Sequence, residues 1–255
     1  MRKKRALTSD AARSVRQKGH DDALAFALSI GLGNDYKNDH QAKKDVIDSS
    51  GDAHSVKSGE KKWQVFLYGI GRFKSDHAFS AMNGIGDILI RCITSFQPTF
   101  EEYQKDKISA KERLRTSMRE LADKLQDKRR LSAFLNKSLF NGGEVKYLTV
   151  KQNNFFHVFL NTDVVEALIK NLEVCNSTAR RPGEISEQKV LLRYEGVNLG
   201  EVEMRNDSQI HYREIRFNML KPKVMKLLFT EITPKKEYNS KVFLYGKAIK
   251  KFCHR

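Results

Sequence analysis

The sequence predicts an α/β protein, with a mixed central sheet flanked by helices and an α+β C-terminal part. Three observations carry that expectation. Short β-prone runs bounded by turn residues, at 45–48, 53–57, 145–150 and 155–160, alternate with stretches of helical period. The clearest helical region is 100–140, where Leu114, Met118, Leu121 and Leu125 recur at 4-3-4 spacing. The chain has 255 residues, 40% of them hydrophobic, enough to bury a sizeable core in one large domain or two small ones.

Taken in order, residues 1–18 are rich in Lys and Arg and read as a mobile arm or a helix start that could lie along phosphates, or as a solvated tail. From Gly19, the apolar residues Ala23, Leu24, Phe26, Ala27, Leu28 and Ile30 give a helix, with Asp21 and Asp22 in a first turn favoured by the helix dipole. Gly31 and Gly33 end it, and a polar segment over 35–41 leads into a hairpin whose turn is Ser49-Ser50-Gly51-Asp52. Residues 63–70 are strongly apolar and ambiguous between strand and helix. Gly84-Ile85-Gly86 lacks the third glycine of a dinucleotide loop and is assigned to packing or a turn.

Across 100–140, Lys and Arg populate the non-apolar faces. One reading is a helical arm that clamps DNA or meets a second subunit, and the other is an amphipathic helix covering the core. Asn141-Gly142-Gly143 break it at a soft boundary between a core, 19–140, and the α+β part, 141–255. A strand pair at 145–150 and 155–160 follows, then a helix over 163–172 with Thr162 as N-cap, and a polar loop over 177–187. Strands at 189–194, 199–205 and 211–219, a helix from 221 opened by Pro222, and a last strand at 241–245 complete the chain.

Lys and Arg number 47 against 31 Asp and Glu, a net charge of +16. Such a field attracts polyanions, of which nucleic acid is the commonest, although ribosome-associated and membrane-surface proteins share it. No run approaches the roughly 18 apolar residues of a membrane span, and no apolar segment follows the basic start, so neither membrane nor secretion is expected. Three scattered cysteines suit a reducing cytoplasm and suggest neither a disulfide framework nor a zinc site.

The chemistry is expected at the hairpin. Ser55 and Lys57 share a strand face because side chains alternate, and the turn at 49–52 brings Asp45 back beside that face. An aspartate, a hydroxyl and an ammonium around one phosphate suit phosphodiester hydrolysis. That reaction uses a divalent metal such as magnesium on oxygen ligands and a nearby cation to balance charge.

Lys44-Asp45-Val46, then Ser55-Val56-Lys57, then Gln64 resemble the PD-(D/E)XK nuclease signature in its type II restriction endonuclease form; the resemblance covers about residues 19–68. It implies a restriction-endonuclease-like core within 19–140 and a Mg2+-dependent, site-specific deoxyribonuclease cutting double-stranded DNA. It further implies a homodimer matched to two-fold DNA, and a cognate DNA methyltransferase as genomic neighbour. Asp45 would bind metal, Lys57 orient or activate the water, and Gln64 support the site. Asp22 would be the acidic residue on the preceding helix. Ser55 stands where the family has Asp or Glu, so the resemblance implies a carboxylate recruited from elsewhere. Glu60 and Asp76 are candidates, with Asp48 third because its spacing from Asp45 turns it to the opposite face.

Two further segments stand out. Glu201 and Glu203 share a strand face and form a rival acidic pair, followed by Arg205 where a lysine would be needed. Arg205, Asn206, Gln209, His211 and Arg213 form a strand–loop–strand with side chains suited to base edges, and Arg180 and Arg181 are suited to phosphates; a plain polar turn is the other reading. His54, His77 and His157 read as core or surface histidines. Another nuclease of the same superfamily, in repair, recombination or mobile-element defence, and a non-catalytic nucleic-acid-binding protein remain the alternatives.

Overall fold

The computed structural model describes residues 9–206 and 209–252. Its helices are α1 Ser9–Ser29, α2 Ile70–Ser75, α3 His77–Ser80, α4 Ile85–Thr94, α5 Phe100–Lys105, α6 Lys107–Gln126 and α7 Lys128–Phe140. Three more follow, α8 Asn161–Asn171, α9 Lys221–Glu231 and α10 Ala248–Phe252. The strands are β1 Val46–Ile47, β2 Ala53–Lys57, β3 Lys62–Tyr68, β4 Tyr147–Gln152, β5 Phe155–Leu160 and β6 Glu173–Asn176. The remainder are β7 Lys189–Tyr194, β8 Val197–Met204, β9 Ile215–Leu220, β10 Lys235–Asn239 and β11 Val242–Tyr245.

The architecture is mixed α/β with two sheets. One has the order β1-β2-β4-β5-β11-β10, with β2 parallel to β4, β5 parallel to β11, and antiparallel pairs elsewhere. The other, β3-β9-β8-β7-β6, is antiparallel throughout. They belong to two compact units: the described residues within Met1–Lys61, Leu139–Leu168 and Pro222–Arg255, and those within Lys62–Ser138 and Ile169–Lys221. The units therefore interleave along the chain rather than dividing near Asn141.

In the first unit the strand alternation sorts side chains onto two faces. Ala23, Phe26 and Ala27 of α1 pack with Tyr147, Phe156, Val158 and Leu244 on one face, together with Ala248 of α10. The intervening His157, Phe159 and Tyr245 turn to the other face, where Phe229 of α9 lies against all three. Burial on both faces explains why β5 and β11 read as near-continuous apolar runs.

In the second unit Leu114, Met118, Leu121 and Leu125 of α6 are all buried, as their spacing predicts. The helix lies on the sheet through its edge strand β6, whose Asn176 amide donates to the Met118 carbonyl at 2.9 Å. Phe66, Phe134 and Phe217 form the aromatic centre of this unit. Thr99 and Glu102 close a capping box at the start of α5.

Several boundaries differ from expectation. Of 1–18, residues 1–8 lie outside the described residues; from Ser9 the segment takes the helix-start alternative, and the helix runs on through Gly19, around which there is open space, rather than beginning there. The helix expected from 163 begins at Asn161, whose side chain accepts the Thr162 N–H at 2.7 Å, so Thr162 is not the cap. Residues 63–70 resolve into β3 and the start of α2. Gly84 takes φ +83° just before α4, and a Cβ on Gly86 would lie 2.7 Å from the Phe79 carbonyl oxygen, so these two glycines serve a turn and a close approach. Among the described residues no helix is long and apolar enough to cross a membrane.

Candidate functional site

The hairpin is built locally. Asp48 Oδ1 accepts the N–H groups of Ser50 and Asp52 at 2.8 and 2.9 Å, and Gly51 supplies the positive φ that reverses the chain. Register then sets Val46 opposite His54, with both buried on the α1 face, so Asp45 and Ser55 fall together on the other. The structure brings Asp45, Ser55 and Lys57 together as expected. Asp45 Oδ2 accepts the Val56 N–H at 2.7 Å and the Ser55 hydroxyl at 3.3 Å, and Lys57 Nζ stands 3.7 Å from it. Ser55 is fully buried, whereas the side chains of Lys57 and Asp45 are 24% and 21% exposed and within reach of a ligand.

Sequence reasoning missed His40, whose Nδ1 lies 3.5 Å from Asp45 Oδ1. Asp39 before it is a recognisable cap, its carboxylate accepting the N–H groups of Gln41 and Ala42, but that signal marks the turn and not where the imidazole points. Tyr36 also senses the site: burial and then the charge on Asp45 push its phenol above the ordinary value.

Two of the other expected ligands, Asp22 and Asp48, are placed on the opposite face of the sheet. Asp22 lies on the α1 face, paired with Lys151 at 2.6 Å, while its Oδ2 is buried without a hydrogen-bond partner. Lys151 shares a face with Tyr147, against the α1 core, so the sheet separates Asp22 from Ser55 and Lys57. Asp48 also turns to the α1 side, toward His54 at 3.5 Å. Burial pushes its carboxyl up, but hydrogen bonds from His54, Asp52 and Ser50 outweigh that and hold it below the usual carboxylate range. His54, fully buried between Phe26 and Tyr147, is held below the ordinary imidazole value by that burial.

Glu60 is exposed on the bend after β2. Gln64 lies on β3 opposite Asn218, in the second unit. Asp76 is also in the second unit, capping α3 and bridging Lys137 at 2.9 Å and Arg72 at 3.2 Å.

Among the described residues no three His, Cys, Asp or Glu side chains form a group that could hold a metal ion. Asp45 offers one partly exposed carboxylate, while the Ser55 hydroxyl is buried against it. Magnesium keeps several waters and completes its shell with substrate phosphate, so this donor set fits a single-carboxylate site and not a two-carboxylate one.

The rival acidic pair is engaged by cations. Lys189 bridges Glu201 at 3.0 Å and Glu203, Arg216 binds Glu203, and Lys62 stands 3.7 Å from Glu201. Burial opposes ionisation of Glu203, but Lys189 and Arg216 prevail and hold its carboxyl low. This is a structural network on the sheet.

The expected DNA-reading residues all lie in the second unit. Arg180 and Arg181 are exposed on the β6–β7 loop, whose Glu187 is clamped by Arg119 and Arg115, drawing its carboxyl down to about 2. Of the later segment, β9 begins only at Ile215, and residues 209–213 form turns. Asn206 and Gln209 are exposed there, Gln209 donating to Glu101 at 3.3 Å, while His211 is 2.8 Å from Glu214. Arg205 is half-buried, and Arg213 has φ +63° and a buried Nε without a hydrogen-bond partner.

Comparison with models of known families, with curated proteins and with solved structures gives no match to this chain.

Proposed function

We propose that the protein is a magnesium-dependent endonuclease of double-stranded DNA, of the type II restriction kind, with a restriction-endonuclease-like core. The observation that carries the reading is the convergence of Asp45, Ser55 and Lys57 on one face of the β1–β2 hairpin. The net charge of +16 supports a polyanionic substrate.

Asp45 is the protein carboxylate for the metal, which when bound supplies Lewis acidity to the phosphate and a more acidic water. Ser55 and the Val56 N–H fix the carboxylate. Lys57, already drawn to the site by Asp45, places an ammonium where charge develops on the phosphate. Arg180 and Arg181 contact phosphates, and Arg205, Asn206, Gln209, His211 and Arg213 read bases after exchanging their internal partners for DNA. A homodimer in the cytoplasm, with a methyltransferase as genomic neighbour, completes the reading.

A second reading, a non-catalytic nucleic-acid-binding protein, is favoured by one observation, that the fully buried Ser55 stands where the hydrolytic signature has a carboxylate. Incubating purified protein with plasmid DNA, with and without magnesium, separates the two. Discrete magnesium-dependent fragments support the restriction enzyme, and smears or nicks another nuclease. Salt-sensitive binding without cleavage supports the binding protein.

A further inference from the structure

The two oxygens of Asp45 are held differently. Oδ2 is fixed by the Val56 N–H and the Ser55 hydroxyl, whereas Oδ1 faces His40 Nδ1 at 3.5 Å. A carboxylate rotates about a broad, two-fold torsion, so anchoring one oxygen leaves the plane of the other loosely defined.

The mount of His40 is more elaborate than a connecting loop requires. Asp39 and Lys44 exchange two backbone hydrogen bonds, at 2.7 and 2.9 Å, closing the turn at its base. Asp39 Oδ1 accepts the Gln41 and Ala42 N–H groups at 3.1 and 3.3 Å, and Lys43 takes φ +61°. Lys44 is tied to Glu144 at 2.8 Å, and His20 of α1 meets the His40 ring edge-on at 4.7 Å between centroids. A turn braced at base, top and side presents one imidazole to the residue that follows its closing lysine.

We propose that His40 is a positioning residue for Asp45, its Nδ1 side holding Oδ1 so that Oδ2 stays against Ser55 and Lys57. The consequence for rate rests on the hydrolytic reading above; the ordering of the carboxylate does not. His20 is the brace that keeps the imidazole turned inward.

The test pairs His40→Ala with His40→Asn, whose amide nitrogen can occupy the place of Nδ1. Plasmid cleavage is measured as kcat and KM, and the Asp45 side-chain carboxyl is followed by carbon-13 NMR. Loss of a residue that orients a ligand lowers activity by about tenfold or more, and this is expected in kcat for His40→Ala with KM little changed. The Asp45 carboxyl resonance is expected to shift or broaden in His40→Ala, and His40→Asn to recover both signals. If wild-type protein cleaves, and neither kcat nor the resonance responds to His40→Ala, the positioning role is wrong while the hydrolytic reading stands. If wild-type protein does not cleave but the resonance responds, the positioning role stands and the hydrolytic reading fails. If neither cleavage nor a response is seen, both fail.

Discussion

Replacing Asp45 in two ways separates its part in the fold from its part in chemistry. Asp45→Ala removes the acceptor 2.7 Å from the part-buried Val56 N–H and leaves the buried Ser55 hydroxyl without it, and leaving such donors unsatisfied costs about 1–3 kcal/mol. It also removes the ion pair with Lys57, worth at most about 1 kcal/mol because both side chains are partly exposed. A destabilisation of about 3 kcal/mol is the expected total. Asp45→Asn retains an oxygen for the Val56 N–H and the Ser55 hydroxyl, losing only the charge, so about 1 kcal/mol is expected. Urea unfolding reads the stability, and single-turnover plasmid cleavage in magnesium reads the chemistry. Both variants should lose cleavage by at least about 100-fold, although their stabilities differ. An Asn variant cleaving within about threefold of wild type refutes the role of the carboxylate, and an Ala variant as stable as wild type refutes its structural anchoring.

Three other substitutions follow from the opposite face of the same sheet. Lys151→Ala strands the buried Asp22 carboxylate, and a destabilisation of about 3 kcal/mol is expected by urea unfolding. Asp22→Asn should leave magnesium affinity by calorimetry unchanged, and a marked loss of affinity would return Asp22 to the metal site. His54, buried with a lowered pKa, takes up protons more readily unfolded than folded. Its stability contribution is therefore present above its ordinary value of 6.5 and falls as pH drops below it. Unfolding series between pH 7.5 and pH 5, run on wild type and His54→Gln, should show a shallower loss in the variant; equal slopes would exclude His54 as the source.

How much was legible in the sequence depends on the range of the interaction. Asp45, Ser55 and Lys57 meet because of a turn and a two-residue alternation, both local, and both readable from 45–57. The buried stripe of α6 is local in the same sense. Asp22 fails as a site residue for a non-local reason. Helix α1 packs on the sheet face away from Ser55. In the 205–213 segment the residue types suggested base readout, but residue type does not reveal that Glu101 and Glu214 engage Gln209 and His211. β10, exposed along most of its length, carries no alternation from which a strand could be read.

The most direct test of a hydrolytic site at this hairpin is Lys57→Ala, assayed for single-turnover cleavage and for DNA affinity in the same buffer with magnesium. Lys57 lies beside Asp45 without contributing a hydrogen bond that the strand needs, so the variant is expected to fold and to bind DNA as wild type does. Its cleavage rate should fall by about 100-fold or more, the size expected when a charge-balancing group is removed from a transition state. Cleavage that survives the substitution undiminished would contradict the assignment of the site.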